Sequence, residues 1–134
     1  MSRQYRKVTG DGVSLETIGD RQFLNVQPQV LTQLAAEAFH DLSYYLRPDH
    51  LDELAAIAAD SSALPNERFV CSSLVKNAVI AAEGKLPLCQ DTGTATIFAW
   101  RGERVLTGGA DEEMLTQGVA KAWSENHLRF SQVA

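Results

Sequence analysis

The sequence predicts an α+β fold: N-terminal β-hairpins, a helical segment, then a β-hairpin and a final helix. Three changes of hydrophobic period and the placing of glycine and proline predict it. Up to Gln27 the apolar residues fall in short runs between turn residues, which is how half-buried strands read. From Pro28 they recur every third or fourth residue, the spacing of a helix with one covered face. Near Thr94 β-branched and aromatic residues return, and beyond Gly108-Gly109 the helical period resumes.

Gln4–Thr9, Val13–Ile18 and Gln22–Val26 are the expected strands, separated by Gly10-Asp11-Gly12 and Gly19-Asp20, residues that suit tight turns. Val30, Leu31, Leu34, Ala35, Ala38, Phe39, Leu42, Tyr45 and Leu46 mark the stripe of the first helix. Arg47-Pro48 ends it, because the residue before proline is pushed out of the helical region, and Pro48 suits the first turn of the next helix. That second helix runs from Asp49 to Ala59. After Ser61-Ser62, Leu64-Pro65-Asn66-Glu67 opens a third helix reaching Ala82, with Gly84 as its expected C′ residue. Thr94–Trp100 is the next expected strand, Arg101-Gly102-Glu103 a turn and Arg104–Leu106 its hairpin partner. The last helix starts near Asp111, with Asp111, Glu112 and Glu113 in its first turn, where the helix dipole favours acid.

No repeat, low-complexity tract or linker interrupts this order, so residues 1–134 read as part of one domain. The chain stops at Ser131-Gln132-Val133-Ala134 without a polar closing tail, and we expect it to be truncated at its C-terminus. A composition of 45% hydrophobic and 22% charged residues belongs to a folded globular protein. The net charge of -5 argues against a nucleic-acid partner, since phosphate affinity comes from lysine and arginine. No stretch approaches the roughly 20 apolar residues that span a bilayer, and the start lacks the apolar segment of a signal peptide. The expected location is cytoplasmic, with no membrane partner.

Cys71 and Cys89 are the two cysteines, and neither lies in a metal-ligand spacing. Without an export signal both are expected as thiols. Cys71 sits beside Val70 in the apolar register of the third helix and reads as core. His40 reads as structural, His50 as surface, and His127 has no ligand partner four residues on, which argues against zinc. Asp111-Glu112-Glu113 reads as a solvated helix start. The unusual segment is Leu86-Pro87-Leu88-Cys89-Gln90-Asp91-Thr92-Gly93-Thr94-Ala95. It gathers a thiol, an amide, a carboxylate and hydroxyls on one short loop, where binding residues concentrate. By pattern alone Cys89 reads more readily as core than as a ligand, and Asp91 more readily as a turn residue than as a binding group.

The stretch from Pro87 to Ala95 resembles the cysteine signature of class I, iron–sulfur-dependent fumarate hydratases, a family that extends to tartrate dehydratase subunits. Ala38-Phe39-His40-Asp41, Leu46-Arg47-Pro48, Thr107-Gly108-Gly109 and Asn126-His127-Leu128-Arg129-Phe130-Ser131-Gln132 resemble the same family in the same order. The resemblance implies that the chain is the N-terminal portion of such an enzyme. It implies a hydro-lyase that reversibly hydrates fumarate to (S)-malate, a tricarboxylic acid cycle reaction, at a [4Fe–4S] cluster held by three cysteines. Cys89 matches one of those ligands. Gln90, Asp91 and Arg129 match residues that contact the C4 dicarboxylate substrate, with Thr92, Gly93 and Thr94 shaping the loop.

The resemblance assigns no catalytic base within the chain, and implies that the other two cluster cysteines lie beyond residue 134. The chain alone is therefore expected to be inert and the complete enzyme a homodimer. The alternatives are a small non-catalytic interaction module or subunit built on the same fold, and a tartrate dehydratase-like piece.

Overall fold

The structure is a computed structural model and describes residues 6–89, 94–126 and 128–129. The described residues form three strands and four helices, in the order β1 (Val13–Ile18), β2 (Arg21–Val26), α1 (Pro28–Tyr44), α2 (Pro48–Ala59), α3 (Pro65–Ala81), β3 (Val105–Leu106) and α4 (Asp111–Glu125). The fold class is α+β, as the sequence predicts. The chain divides into two compact units. The first holds the described residues up to Phe39 together with Thr94–Glu125. The second holds those from His40 to Cys89 together with Asn126, Leu128 and Arg129.

In the first unit, β1 and β2 form an antiparallel hairpin whose end pair is Ile18↔Arg21. The two-residue turn is possible because Gly19 takes φ +65°, a backbone region that β-branched or bulky residues avoid. Residues 6–9 of the expected Gln4–Thr9 strand carry no strand, while Gln4 and Tyr5 lie outside the described residues. The expected second hairpin is also absent: Thr94–Trp100 forms no strand, and β3 instead pairs in parallel with β2 through Leu24↔Val105 and Asn25↔Leu106. The turn itself is made, with the Val105 N–H donating to the Gly102 carbonyl at 3.1 Å. β-propensity reports how well side chains fit a half-buried pleat. Phe98 and Trp100 are 84% and 94% exposed, so no burial rewards the strand, and Val105–Leu106 takes the open edge of β2.

The first part of α1 crosses α4 closely because both carry small residues there. A Cβ added to Gly118 would collide with the Thr32 carbonyl oxygen and lie 2.6 Å from the Ala35 Cβ. Ala35 and Ala122 are 3% and 1% exposed. The Thr32 hydroxyl donates to the Met114 carbonyl at 2.9 Å, and the Phe39 and Trp123 rings meet at 5.7 Å.

In the second unit, Arg47 has an extended backbone (ψ 136°) and Pro48 opens α2. Pro65 opens α3 in the same way, with the Glu67 carboxylate accepting the Leu64 N–H at 2.9 Å. Leucine has no side-chain acceptor, so this is only the return half of a capping box. Past the C-cap Ala82 the C′ residue is Glu83, and Gly84, expected in that place, takes φ +75° one residue further on. Ala78, Ala81 and Leu88 form the core, with Leu46 and Leu51 packed on it.

Candidate functional site

The loop that leaves α3 is placed by its last two described residues. Leu86 is 62% exposed, whereas Leu88 is 8% exposed and fills the space beside Ala78 and Ala81. Burying a leucine side chain contributes about 1.5–3 kcal/mol, and the Leu88 N–H donates to the Ser43 carbonyl at 2.8 Å. Cys89 follows this anchor as a free, exposed thiol. Its backbone is held on both sides of the Cα by side chains. The Asn77 amide oxygen accepts the Cys89 N–H at 2.9 Å, and the Arg129 guanidinium donates to the Cys89 carbonyl at 2.6 Å.

Arg129 is itself positioned from further back. Leu128 is 3% exposed, and the Tyr44 hydroxyl donates to the Asn126 carbonyl at 2.7 Å. Residues forty apart in sequence thus meet because the end of α1, the fourth turn of α3 and the segment after α4 all fix the same short stretch. His40 stacks on Tyr44 with ring centroids 4.8 Å apart at 25°, and its Nδ1 lies 3.4 Å from the Asp41 carboxylate, an arrangement in which it buttresses Tyr44. His50 is half-buried on α2. Cys71 is 8% exposed on α3, an apolar filler as its register suggests.

Of the predicted site residues the structure brings Cys89 and Arg129 together. Gln90 and Asp91 lie outside the described residues, as does His127. Sequence reasoning missed Asn77. Its one signal was a residue that helix interiors disfavour standing inside the third helix just before Ala78-Val79-Ile80, where a side-chain amide needs a partner. It also missed Arg101, whose guanidinium donates to the Thr107 hydroxyl at 2.7 Å and the Asp111 carboxylate at 2.8 Å, tying Thr107-Gly108-Gly109 to the start of α4 within the first unit.

As a donor set, the second unit offers one accessible soft sulfur on a backbone fixed at both ends of its peptide. Among the described residues no group of three or more His, Cys, Asp or Glu is gathered to hold a metal ion. The set therefore fits one corner of a thiolate-held iron–sulfur group and not a closed site. Among the described residues no helix is long and apolar enough to cross a membrane.

A family model described as fumarate hydratase (Fumerase) matches residues 32–134. The anaerobic class I fumarate hydratase of Escherichia coli (strain K12) is 47% identical over 131 residues, covering 98% of this chain and 24% of the relative. Fumarate hydratase 2 of Leishmania major is 43% identical over 133 residues, covering 98% and 23%. A putative L(+)-tartrate dehydratase subunit alpha of Methanocaldococcus jannaschii is 29% identical over 102 residues, covering 74% and 35%. The chain spans about a quarter of the length of the fumarate hydratases it matches. With the family model spanning most of the chain and the Cys89 signature inside the matched span, this chain belongs to the fumarate hydratase (Fumerase) family.

Proposed function

We propose that residues 1–134 are the N-terminal portion of an iron–sulfur class I fumarate hydratase that reversibly hydrates fumarate to (S)-malate. The observation that carries this reading is the meeting of Cys89 and Arg129, a thiol and a guanidinium forty residues apart joined at 2.6 Å through the Cys89 carbonyl. In this reading Cys89 supplies one of three thiolates to a [4Fe–4S] cluster, and two further cysteines come from the rest of the enzyme. When bound, the cluster supplies an open iron as Lewis acid toward the substrate's hydroxyl and carboxylate.

The chain's own residues orient the dicarboxylate. Arg129 holds the carboxylate remote from the iron, for which a planar guanidinium fork is better suited than an ammonium. A guanidinium has five N–H donors, so holding the Cys89 carbonyl and gripping a carboxylate are compatible. Gln90 and Asp91, next to Cys89 in sequence, contact the substrate's oxygens. The complete enzyme is a cytoplasmic homodimer serving the tricarboxylic acid cycle, and the 134-residue chain alone is inert because one thiolate cannot hold the cluster. A tartrate dehydratase-like activity is the second reading, favoured by the 29% identity to the alpha subunit.

The test is a chimera in which this chain replaces the matching 131 residues of the anaerobic Escherichia coli enzyme. The chimera should hydrate fumarate, and Arg129→Lys in it should keep iron and fold while kcat/KM falls about 100-fold, the cost of a misplaced reactant. A folded, iron-loaded chimera that turns over tartrate and not fumarate selects the second reading. Near-normal kcat/KM with Arg129→Lys removes Arg129 from substrate binding.

A further inference from the structure

The Cys89 peptide has two side-chain partners, and only one of them, Arg129, belongs to the substrate-binding set proposed above. The other, Asn77, stands in the fourth turn of α3, one residue before Ala78, which with Ala81 belongs to the core of the second unit. The acceptor is thus mounted on the most firmly packed part of that helix. Its oxygen reaches the Cys89 N–H at 2.9 Å across twelve residues of chain, while the preceding N–H, that of Leu88, is taken by the Ser43 carbonyl at 2.8 Å. Two successive N–H groups are therefore satisfied by two different elements, α1 and α3, and with Arg129 on the Cys89 carbonyl the backbone is held on both sides of the Cys89 Cα, which sets the direction of its Cα–Cβ bond.

We propose that Asn77 is a positioning residue for the Cys89 thiol: by accepting the Cys89 N–H it sets the orientation in which the sulfur is offered to iron. This rests on the reading of Cys89 as a ligand. The physical logic is that of ligand orientation in metal sites generally, where groups hydrogen-bonded to a ligand hold it in one geometry and their loss weakens metal retention. Asparagine suits the task because its oxygen is a neutral acceptor on a short side chain with few rotamers. A helix interior otherwise disfavours it, so its place on α3 needs a reason, and the Cys89 amide supplies one.

Two measurements test this, and they fail separately. The first uses the 134-residue chain without iron or substrate, and follows amide hydrogen exchange by NMR. The Cys89 amide should be protected. Asn77→Ala should lower its protection roughly 5- to 10-fold, as expected for one lost hydrogen bond, with the Leu88 amide unchanged as an internal control of folding. Asn77→Asp, which keeps an acceptor oxygen, should restore protection at Cys89. A Cys89 amide that exchanges freely in the unsubstituted chain, or equal protection in Asn77→Ala, overturns the proposal.

The second measurement uses the iron-loaded chimera. Asn77→Ala should release iron to a chelator about 10-fold faster, with thermal stability close to that of the parent and with Asn77→Asp in part restoring retention. Unchanged iron release alongside lost amide protection confines Asn77 to holding the loop and overturns its role toward the ligand. A chimera that never takes up iron while the exchange results stand rejects the cluster reading instead.

Discussion

Leu86–Cys89 and Thr94–Trp100 lie on either side of residues 90–93 and are built on opposite terms. The first has little local signal, a proline among leucines, yet Leu88 is buried and the Leu88 and Cys89 peptides are held by Ser43, Asn77 and Arg129. The second has strong β-propensity, yet its Phe98 and Trp100 are 84% and 94% exposed and it forms no strand. What separates them is partners from distant parts of the chain. Propensity prepares a segment, and a neighbouring surface decides whether burial and hydrogen bonds reward the ordering.

This contrast can be broken or sharpened by substitution. The largest effect is expected at Gly118, where the covering surface is so close that any side chain meets backbone. Gly118→Val should destabilise the first unit by about 3 kcal/mol, the upper end of overpacking costs, read as a lower urea midpoint. An unchanged midpoint would mean that α1 and α4 part easily. Next is Leu88→Ala, expected to cost about 2 kcal/mol, the low end for a buried leucine. Trp100→Ser should stay within about 0.5 kcal/mol of the parent, as for an uncovered surface position. Equal losses at Leu88 and Trp100 would dissolve the comparison.

The smallest effect concerns a turn held by short-range bonds alone. The Asp60 carboxylate is held below its ordinary value of 3.8, first by the Ser62 hydroxyl and then by the Ser62 N–H, which approach it at 2.7 Å and 2.8 Å. A depressed carboxylate adds stability above its unfolded value, and that stability is lost as pH falls through the lower folded value. The contribution is therefore present at neutral pH and lost only below 3.8. Ser62→Ala should move the Asp60 titration midpoint upward in an NMR titration. A downward or absent shift contradicts the assignment to the hydroxyl.

The same division explains what was legible beforehand. The β1–β2 turn, the proline starts of α2 and α3 and the acidic start of α4 are written in adjacent residues, and each was readable. The Cys89 loop stood out through its resemblance to a family signature, not through any spacing of ligands. The parallel pairing of β3 with β2, the Gly118 crossing and the Asn77 acceptor depend on residues far apart in the chain. Periodicity carries no information about such partners. The burial of α1 was overestimated for the same reason: Leu34 and Leu42 are 45% and 64% exposed despite their place in the apolar stripe.

Central to the proposed function is a division of work between the two cysteines, Cys71 filling the core and Cys89 offered as an iron ligand. The most direct measurement is the iron content and cluster absorbance of the Escherichia coli chimera carrying either Cys71→Ser or Cys89→Ser. Serine is a poor ligand for a soft site, so Cys89→Ser should lose the cluster absorbance and fumarate hydration at unchanged thermal stability. Cys71→Ser should keep both while costing about 1–3 kcal/mol for a hydroxyl placed in apolar surroundings. Retention of the cluster in Cys89→Ser, or its loss in a stable Cys71→Ser, would contradict the account.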